Sequence, residues 1–324
     1  MMIMKKKNKH KLITISDLAL HLGISEGYLQ DILSELYSED TKLYRSWDKI
    51  KPNGETRPMD APRDKLKFIQ KRINGRILQR TQISKIATGG VRGRKLKDNL
   101  IPHLRQQMVA NFDLKRFFPN ITNKQVYEIF ILIGVSPDVA RVLTRLTTFK
   151  NRIPQGAPTS SMLANLVAGY GGSHCLDGRI ENLCAINNFN LRRWVDDISI
   201  SGPNYIKKFE PTIEKIIFES GFIPNRDKTA FISKNNAQII TGHLVNEKAN
   251  VVKQERRRIR AILHKCKTSG LDGYSKNRID HLKRSLRGKI AHISSINPRS
   301  GNKLLDKFNS IEWSSLINEM TNSA

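Results

Sequence analysis

The stretch RRWVDDISISG, residues 192–202, places two adjacent aspartates, Asp196 and Asp197, between two apolar segments. Residues 191–195 contribute a leucine, a tryptophan and a valine before the pair. After it, Ile198 and Ile200 alternate with serines, which is the pattern of a β-strand with one buried face. The stretch therefore predicts a β-hairpin with both aspartates near its tip.

This acidic pair is an unusual choice for a hairpin turn. Two-residue turns favour Asn-Gly or Asp-Gly, because their central residues need positive φ. Adjacent carboxylates also repel each other unless a cation lies between them. Taken alone, the stretch leaves two interpretations open: a solvated hairpin tip and a metal site.

The overall charge points to a polyanionic partner. The 324 residues contain 56 Lys and Arg against 29 Asp and Glu, a net charge of +27. Such an excess indicates nucleic acid or an anionic membrane surface. No apolar run approaches the roughly 18 residues that span a bilayer, and the basic N-terminus lacks the apolar segment of a signal peptide. We therefore expect a cytoplasmic nucleic-acid-binding protein with no membrane partner, and three reduced core cysteines.

The segment 14–36 predicts helical structure with a break at Gly23. Its pattern resembles a helix-turn-helix, with Gly23 in the turn and Ser25 as an N-cap. The alternative is a pair of short helices that pack on the next domain. We favour packing, because the rest of the chain accounts better for the charge.

Turn residues and helical spacing predict the following elements. Lys51-Pro-Asn-Gly54 predicts a hairpin turn, and residues 63–80 predict an amphipathic helix. The segment 107–122 predicts a buried strand with Asp113 at its end, then a turn at Phe118-Pro119. Residues 153–170 predict a loop and a helix that Thr159 or Ser160 can cap. From about residue 250 the chain is predicted to be helical and basic.

Three carboxylates stand at predicted strand ends or turns: Asp113, Asp196 and Asp197. Mg²⁺ is typically held by one or two carboxylates together with substrate phosphates. Two such ions can stabilise the attacking and leaving oxygens of an in-line nucleotidyl transfer. Separation along the sequence is no obstacle if neighbouring strands bring the acids together.

Four motifs in order resemble the palm motifs of reverse transcriptases: FDLKRFFPNI, PQGAPTSSMLANL, WVDD and GFIPNRDK. The upstream segments KPNGETRPMDAP and KLKFIQKRINGRIL resemble their fingers motifs. The resemblance covers about residues 44–245. It implies an α+β right-hand polymerase with an antiparallel-sheet palm, fingers and a helical thumb, which synthesises DNA on an RNA template from dNTPs.

The resemblance also implies a domain order. It comprises an N-terminal helical segment (1–43), fingers (44–108), a palm (109–241, with a fingers insertion at about 123–152) and a basic, RNA-binding helical thumb (242–324). The chain ends soon after the thumb, so we expect no fused ribonuclease H, endonuclease or effector domain.

Two further elements are similar to those of bacterial retron reverse transcriptases. Asn99-Leu-Ile-Pro-His103 is similar to the retron Asn-Ala-x-x-His element, and Ile240-Thr241-Gly242 to the Val-Thr-Gly element. The chain departs at Leu100 for Ala, at Ile240 for Val and at Trp194 for the usual Tyr. A retron enzyme copies part of its own structured non-coding RNA into multicopy single-stranded DNA, starting from a 2′-hydroxyl, in antiphage defence.

The resemblance assigns roles at the polymerase site. Asp113, Asp196 and Asp197 would ligate two Mg²⁺ ions, or Mn²⁺ as a substitute, with the Leu114 carbonyl completing the shell. Phe118 would be the steric gate at the sugar, and Gln155 would be the loop residue that orients the nucleotide. Arg57 and Lys51 would hold the triphosphate. Lys228 would donate a proton to pyrophosphate. A solvated strand-end lysine is the alternative for Lys228.

The expected RNA-binding residues lie in three places. The retron elements contribute Asn99, His103, Thr241 and Gly242, with a buried core histidine as the alternative for His103. The basic helix at 253–267 presents Arg256, Arg257 and Arg260 on one face, which we expect to grip a stem-loop of the cognate RNA.

Further partners and rival functions follow from the same resemblance. The expected partners are the cognate RNA and its DNA product, dNTPs, a separate effector protein and a host ribonuclease H. One rival is a group II intron-type or diversity-generating reverse transcriptase. A non-enzyme rival is a helix-turn-helix regulator acting through residues 14–36, and a third is a complex that restrains a partner toxin.

Overall fold

The computed structural model describes residues 12–38, 42–50, 54–271 and 274–313. The chain divides into two compact units. The first consists of Met1–Arg94, Phe112–Ile198 and Lys208–Thr229, and the second of Lys95–Asn111, Ser199–Lys207 and Ala230–Ala324. The predicted turn residue Lys51 lies outside the described residues, while Gly54 has a φ of +83°.

Helices dominate the part of the chain that the structure describes. The α-helices are α1 (Ile15–Leu22), α2 (Glu26–Tyr37), α3 (Asp64–Arg76), α4 (Leu96–Leu100), α5 (Phe117–Asn120), α6 (Asn123–Leu132), α7 (Pro137–Thr147), α8 (Ser160–Gly169), α9 (Leu176–Ile186), α10 (Glu210–Glu219), α11 (Lys253–Thr268), α12 (Lys276–Ile296) and α13 (Pro298–Asn309).

The strands form three small sheets. They are β1 (Tyr44–Ile50), β2 (Thr56–Pro62), β3 (Met108–Asp113), β4 (Asn190–Trp194), β5 (Asp197–Gly202), β6 (Ala230–Ser233), β7 (Ile239–Ile240), β8 (His243–Leu244) and β9 (Asn250–Val251). The sheet orders are β1-β2, β4-β5-β3-β6 and β7-β8-β9. Strand β3 pairs antiparallel with β6, from Met108 opposite Ser233 to Asn111 opposite Ala230.

The N-terminal segment forms two helices that pack within the first unit, as the packing interpretation predicts. Thr14 caps α1, which ends at Gly23 in the left-handed conformation, and Ser25 caps α2. Helix α1 contacts α3 and α7, and α2 contacts α7. Two arginines of α3 also connect α3 to α1, because Arg72 and Arg76 donate hydrogen bonds to the last carbonyls of α1.

Several local predictions are wrong in detail. Strand β5 is not one-sided: Ser199 and Ser201 are buried like the isoleucines, since their hydroxyls bond to Asn111 and His103. Phe118-Pro119 is part of the short helix α5 rather than an isolated turn. Helix α3 ends at Arg76, and Leu78–Arg80 continue as a 3-10 turn.

The predicted cap of α8 is also absent. Thr159 occupies the N-cap position, but its backbone is already helical and its side chain makes no capping bond. The hydroxyl of Ser160 instead donates to the carbonyl of Pro154, at 2.6 Å. The Ser160 hydroxyl therefore bonds to the loop before α8 and does not cap the first turn of the helix.

The second unit has its own apolar core. Helices α11, α12 and α13 contribute buried residues such as Ile259, Leu263, Ile290 and Phe308. Helix α11 contacts α13, and α12 contacts both α13 and β9. The basic C-terminal region is thus helical, as its sequence pattern predicts.

Candidate active site

Backbone hydrogen bonds bring the three predicted carboxylates into one region of the first unit. Strand β3 ends at Asp113, and the next amide, of Leu114, donates to the carbonyl of Asp196 at 3.1 Å. The carbonyl of Asp113 accepts from the amide of Asn225, at 2.8 Å. Three segments that are distant in sequence therefore meet at the end of β3.

The turn of the hairpin lies one residue earlier than the sequence predicts. Strand β4 ends at Trp194 and β5 begins at Asp197, so the two-residue loop is Val195-Asp196. Val195 takes the positive φ that such a turn needs, at +58°. Asp197 is consequently the first residue of a strand, while Asp196 is in the turn.

Two side chains hold the carboxylate of Asp113. Lys228 Nζ lies 2.7 Å from Oδ1, and Asn225 Nδ2 donates to Oδ2 at 2.8 Å. Asp113 is 8% exposed. The hydrogen bond to Asp113 also raises the pKa of Lys228 above its ordinary value, so this ammonium is firmly protonated.

Burial and mutual repulsion disfavour charge on the hairpin carboxylates. Burial raises the pKa of Asp196, and the charge of Asp113 adds to that effect, whereas Arg57 and Lys228 oppose it. Burial, followed by the charges of Asp196 and Asp113, raises the pKa of Asp197 to about 6. The site therefore concentrates negative charge that the protein's own cations offset only in part.

The predicted nucleotide-binding residues that the structure describes belong to the same unit. Arg57 is exposed on β2, and its charge acts on Asp196. The main-chain carbonyl of Gln155 accepts a hydrogen bond from the amide of Asp60, at 2.8 Å. Phe118 is half-buried, whereas Phe117 is 2% exposed and packs against Phe222. Of the two rings, Phe118 is thus the one that remains accessible.

The retron-like elements meet within the second unit, but two of their side chains are buried. Asn99 Nδ2 lies 3.5 Å from Thr241 Oγ1, and Thr241 and Gly242 both have positive φ. Asn99 is 1% exposed and His103 is 0% exposed, with His103 Nδ1 bonded to Ser201 Oγ at 2.6 Å. This burial favours a packing role over direct contact with RNA, and RNA binding by these residues stays a prediction.

Basic side chains of the second unit line two neighbouring cavities on α11. Arg256 and Arg260 line one of about 460 Å³, together with three cations of α13: Arg299, Lys303 and Lys307. None of the described residues that line it is acidic. Arg257 and Arg260 line the other, of about 490 Å³. The predicted arginine face is therefore continuous with cations of a second helix.

Comparison with known proteins identifies the family. A family model described as reverse transcriptase (RNA-dependent DNA polymerase) matches residues 49–268. The chain belongs to the reverse transcriptase family. Its activity is RNA-directed DNA synthesis, and its α+β polymerase fold agrees with the sequence prediction.

Similarity to individual proteins points to bacterial retrons. The retron Mx65 reverse transcriptase of Myxococcus xanthus is 29% identical over 311 residues, which cover 90% of this chain and 70% of that protein. The retron Ec86 reverse transcriptase of Escherichia coli is 28% identical over 284 residues, covering 86% and 83%. These relatives confirm the resemblance to retron reverse transcriptases that the motifs indicate.

A solved structure is also similar. It is telomerase from Candida albicans in complex with a fragment of telomeric RNA, with a TM-score of 0.47 and 12% identity. The match covers 82% of this chain and 59% of that one.

Reverse transcriptases use divalent metal ions, and the donor chemistry of this site fits such an ion. Carboxylates are the ligands that hard divalent cations prefer, and the charges of Asp113, Asp196 and Asp197 act on one another. In the described part of the chain, however, no three His, Cys, Asp or Glu side chains already surround one point. Lys228 and Asn225 occupy the oxygens of Asp113 instead.

Two residues at this reverse transcriptase site escape sequence reasoning. Asn225 lies in the quoted GFIPNRDK motif, yet only the contact with Asp113 reveals its role. An arginine in a strand is ordinarily exposed, but Arg193 is fully buried beneath the hairpin turn. The alternation with buried Leu191 is the signal that could have found it.

Separately, none of the described helices is long and apolar enough to cross a bilayer.

Proposed function

We propose that this reverse transcriptase is the polymerase of a bacterial retron. It would copy part of a cognate structured non-coding RNA into multicopy single-stranded DNA, within a system that defends the cell against phage. The similarity to retron Mx65 over 90% of the chain supports the assignment. The single observation that carries the catalytic part is the meeting of Asp113 with the neighbouring residues Asp196 and Asp197 at the end of β3.

We propose that Asp113, Asp196 and Asp197, with the Leu114 carbonyl, hold two Mg²⁺ ions, or Mn²⁺ in their place. When bound, such ions stabilise charge on the attacking and leaving oxygens of phosphoryl transfer. Asn225 orients the Asp113 carboxylate through its 2.8 Å hydrogen bond. Burial and the charges of Asp196 and Asp113 raise the pKa of Asp197 to about 6, so a bound cation would favour its ionised form.

Further residues would handle the nucleotide. The accessible ring of Phe118 screens the 2′ position of the incoming sugar, and Gln155 orients the nucleotide. Arg57 and Lys51 would together hold the triphosphate. Lys228, whose ammonium lies 2.7 Å from Asp113 Oδ1, would donate a proton to the leaving pyrophosphate.

Mutation of the turn tests the polymerase assignment. Asp197→Ala should abolish primer extension on an RNA template while binding of the cognate RNA is retained, because the charge at the ion site is removed but the basic surfaces are not. Purified Asp197→Ala that still extends a primer with Mg²⁺ would disprove the assignment. The retron part has a separate test. A short inverted-repeat non-coding RNA encoded directly upstream of the gene would support it, and the absence of such an RNA would count against it.

The domain roles stay part of this proposal: fingers at 44–108, palm at 109–241 and thumb at 242–324. The basic face on α11 and α13 would grip a stem-loop of the cognate RNA through its phosphates. Five cations, and no acidic side chain among the described residues, line one of its two cavities: Arg256, Arg260, Arg299, Lys303 and Lys307. A-form RNA is recognised mainly by shape and by phosphate and 2′-hydroxyl contacts.

Neutralising Arg256, Arg257 and Arg260 to Gln together should weaken binding of the cognate RNA. For each phosphate that the protein no longer neutralises, the salt slope of log affinity should fall by roughly 0.7 to 0.9. A matched control removes three exposed charges elsewhere, at Lys207, Lys208 and Lys215. Equal effects of the two triple variants on affinity and slope would exclude α11 as the recognition surface.

The rivals differ in their structural support. Helix α2 would be the recognition helix of a DNA regulator, yet it carries Glu26, Asp31 and Glu35 and no Lys or Arg. An acidic helix is a poor match for a DNA phosphate backbone. An intron-type or diversity-generating enzyme shares the polymerase site, so only the RNA partner separates it from a retron enzyme. A separate effector protein and a host ribonuclease H complete the proposed system, and a complex that mainly restrains a partner toxin is the third alternative.

A further inference from the structure

Arg193 is a fully buried cation that polar partners hold on several sides. It lies on β4 and is 0% exposed. Its Nε and Nη2 donate to the two carboxylate oxygens of Asp177, at 2.6 and 2.8 Å. Nη1 donates to Asn165 Oδ1 at 2.8 Å and to the carbonyl of Val195 at 2.7 Å. Burying an ion pair is costly even when it is well bonded, so its presence calls for a reason beyond stability.

The contact with Val195 supplies that reason. Val195 has a φ of +58°, which is strongly disfavoured for a β-branched residue. It immediately precedes Asp196 and Asp197, so its backbone conformation determines where both carboxylates point. A hydrogen bond from a buried guanidinium to its carbonyl stabilises this conformation against relaxation of the turn.

A second segment closes the other side of the turn. The amide of Thr88 donates to the carbonyl of Arg193, at 2.8 Å. Asn165 reaches the same segment, because its Nδ2 donates to the carbonyl of Gly89 at 2.7 Å. A Cβ on Gly89 would lie 2.8 Å from Cγ2 of Val195, so a larger residue there would push the valine aside. Arg193 and Gly89 therefore lie against Val195, and Asn165 bonds to both of them.

We propose that Arg193 is a positioning residue for the polymerase reaction: paired with Asp177, it holds the strained Val195 so that Asp196 and Asp197 present their carboxylates to divalent cations. This inference rests on the proposed roles of those two aspartates. It predicts that removal of Arg193 affects turnover and cation affinity more than it affects folding or nucleotide binding.

The test separates positioning from simple stability. Arg193→Met alone would leave Asp177 buried and unpaired, so it is combined with Asp177→Leu, which removes the charge of both partners. Arg193→Lys is the conservative variant, with one donor group in place of a fork. Arg179→Met is the control, because Arg179 lies on the same helix as Asp177 but directs its guanidinium to Glu219 and Ser220.

Four quantities are measured for each variant: thermal midpoint, Mn²⁺ affinity by titration calorimetry, and kcat and KM for dNTP on an RNA template. We expect the folded double variant and Arg193→Lys to lose about tenfold or more in kcat and in Mn²⁺ affinity, as for other residues that orient metal ligands. KM for dNTP should change little, and Arg179→Met should match the wild type in all but its thermal midpoint.

Wild-type kcat and Mn²⁺ affinity in a folded double variant would overturn the proposal. If the double variant does not fold, the same two readings on Arg193→Lys decide. Failure of the polymerase assignment is distinguishable, because wild-type protein would then make no DNA, whereas failure of the Arg193 proposal leaves the variants as active as an active wild type.

Discussion

Replacing Asp197 by asparagine should stabilise the protein when divalent cations are removed. The pKa of this carboxyl rises from 3.8 to about 6 on folding, mainly through burial. Because the folded pKa is the higher one, the folded state binds the proton more tightly. That contribution is fully present below pH 3.8 and is lost as the pH rises through about 6.

The size of the effect follows from the two pKa values. Ionised Asp197 costs the folded state about 3 kcal/mol at pH 8, and the cost falls to about 1 kcal/mol near pH 4.5. Residual solvent contact reduces both figures, so we expect a gain of about 2 kcal/mol for Asp197→Asn at pH 8. The charge that the ion site requires is thus a stability cost in the metal-free protein.

Urea denaturation in the presence of EDTA measures this difference at both pH values. Asp227→Asn, which changes an exposed carboxyl, should shift the free energy of unfolding by less than about 0.5 kcal/mol. Added Mg²⁺ should stabilise the wild type and not the Asn variant. A difference between wild type and Asp197→Asn that is absent at pH 8, or equal at pH 8 and 4.5, would refute the reasoning.

Three further outcomes are expected. Phe118→Ala should raise rNTP incorporation relative to dNTP in primer extension, and unchanged discrimination in an active Phe118→Ala would place the gate elsewhere. Phe117→Ala, which removes a buried ring, should instead lower the free energy of unfolding by about 3 kcal/mol or more in urea denaturation. The affinity of the protein for Mg²⁺ should decline as the pH falls below about 6, because a proton on Asp197 then competes with the ion; an Mg²⁺ affinity that is unchanged down to pH 5 would contradict this. Burial lowers the pKa of His243, so the neutral form is favoured in the fold and stability should fall from pH 7 toward pH 5, less so in His243→Gln; identical pH dependence in both proteins would count against it.

The helices were predictable because their apolar residues recur at helical spacing. Leu66, Ile69 and Ile73 are the buried apolar residues of α3. Gly23 ends α1 in the left-handed conformation that glycine favours. The meeting of Asp113 with Asp196 was not derivable from spacing, since the two residues lie 83 positions apart along the chain. The family resemblance supplied that proximity, and hydrogen bonds between strand ends and loops produce it.

The hairpin shows what local rules miss. The alternation of apolar residues predicts both aspartates near the tip, and turn preferences disfavour a β-branched residue at positive φ, yet Val195 is the first residue of the turn. Tertiary contacts override the preference, because Arg193 bonds to the carbonyl of Val195 and Gly89 leaves space for its side chain. Likewise, the two serines of β5 look solvent-facing by alternation but are buried with partners from other elements.

Under the proposed metal role of Asp113, its contact with Lys228 would make loading of the site an exchange of counter-ions. A metal ion on Asp113 Oδ1 would compete with the Lys228 ammonium, which lies 2.7 Å from that oxygen, so binding of the ion would favour release of the ammonium. The triphosphate of a nucleotide offers the displaced ammonium a new anion. Metal and nucleotide should then reinforce each other's affinity by equal factors, because binding linkage is reciprocal. Before either arrives, the protein keeps this buried acid neutralised by a tethered ion of its own.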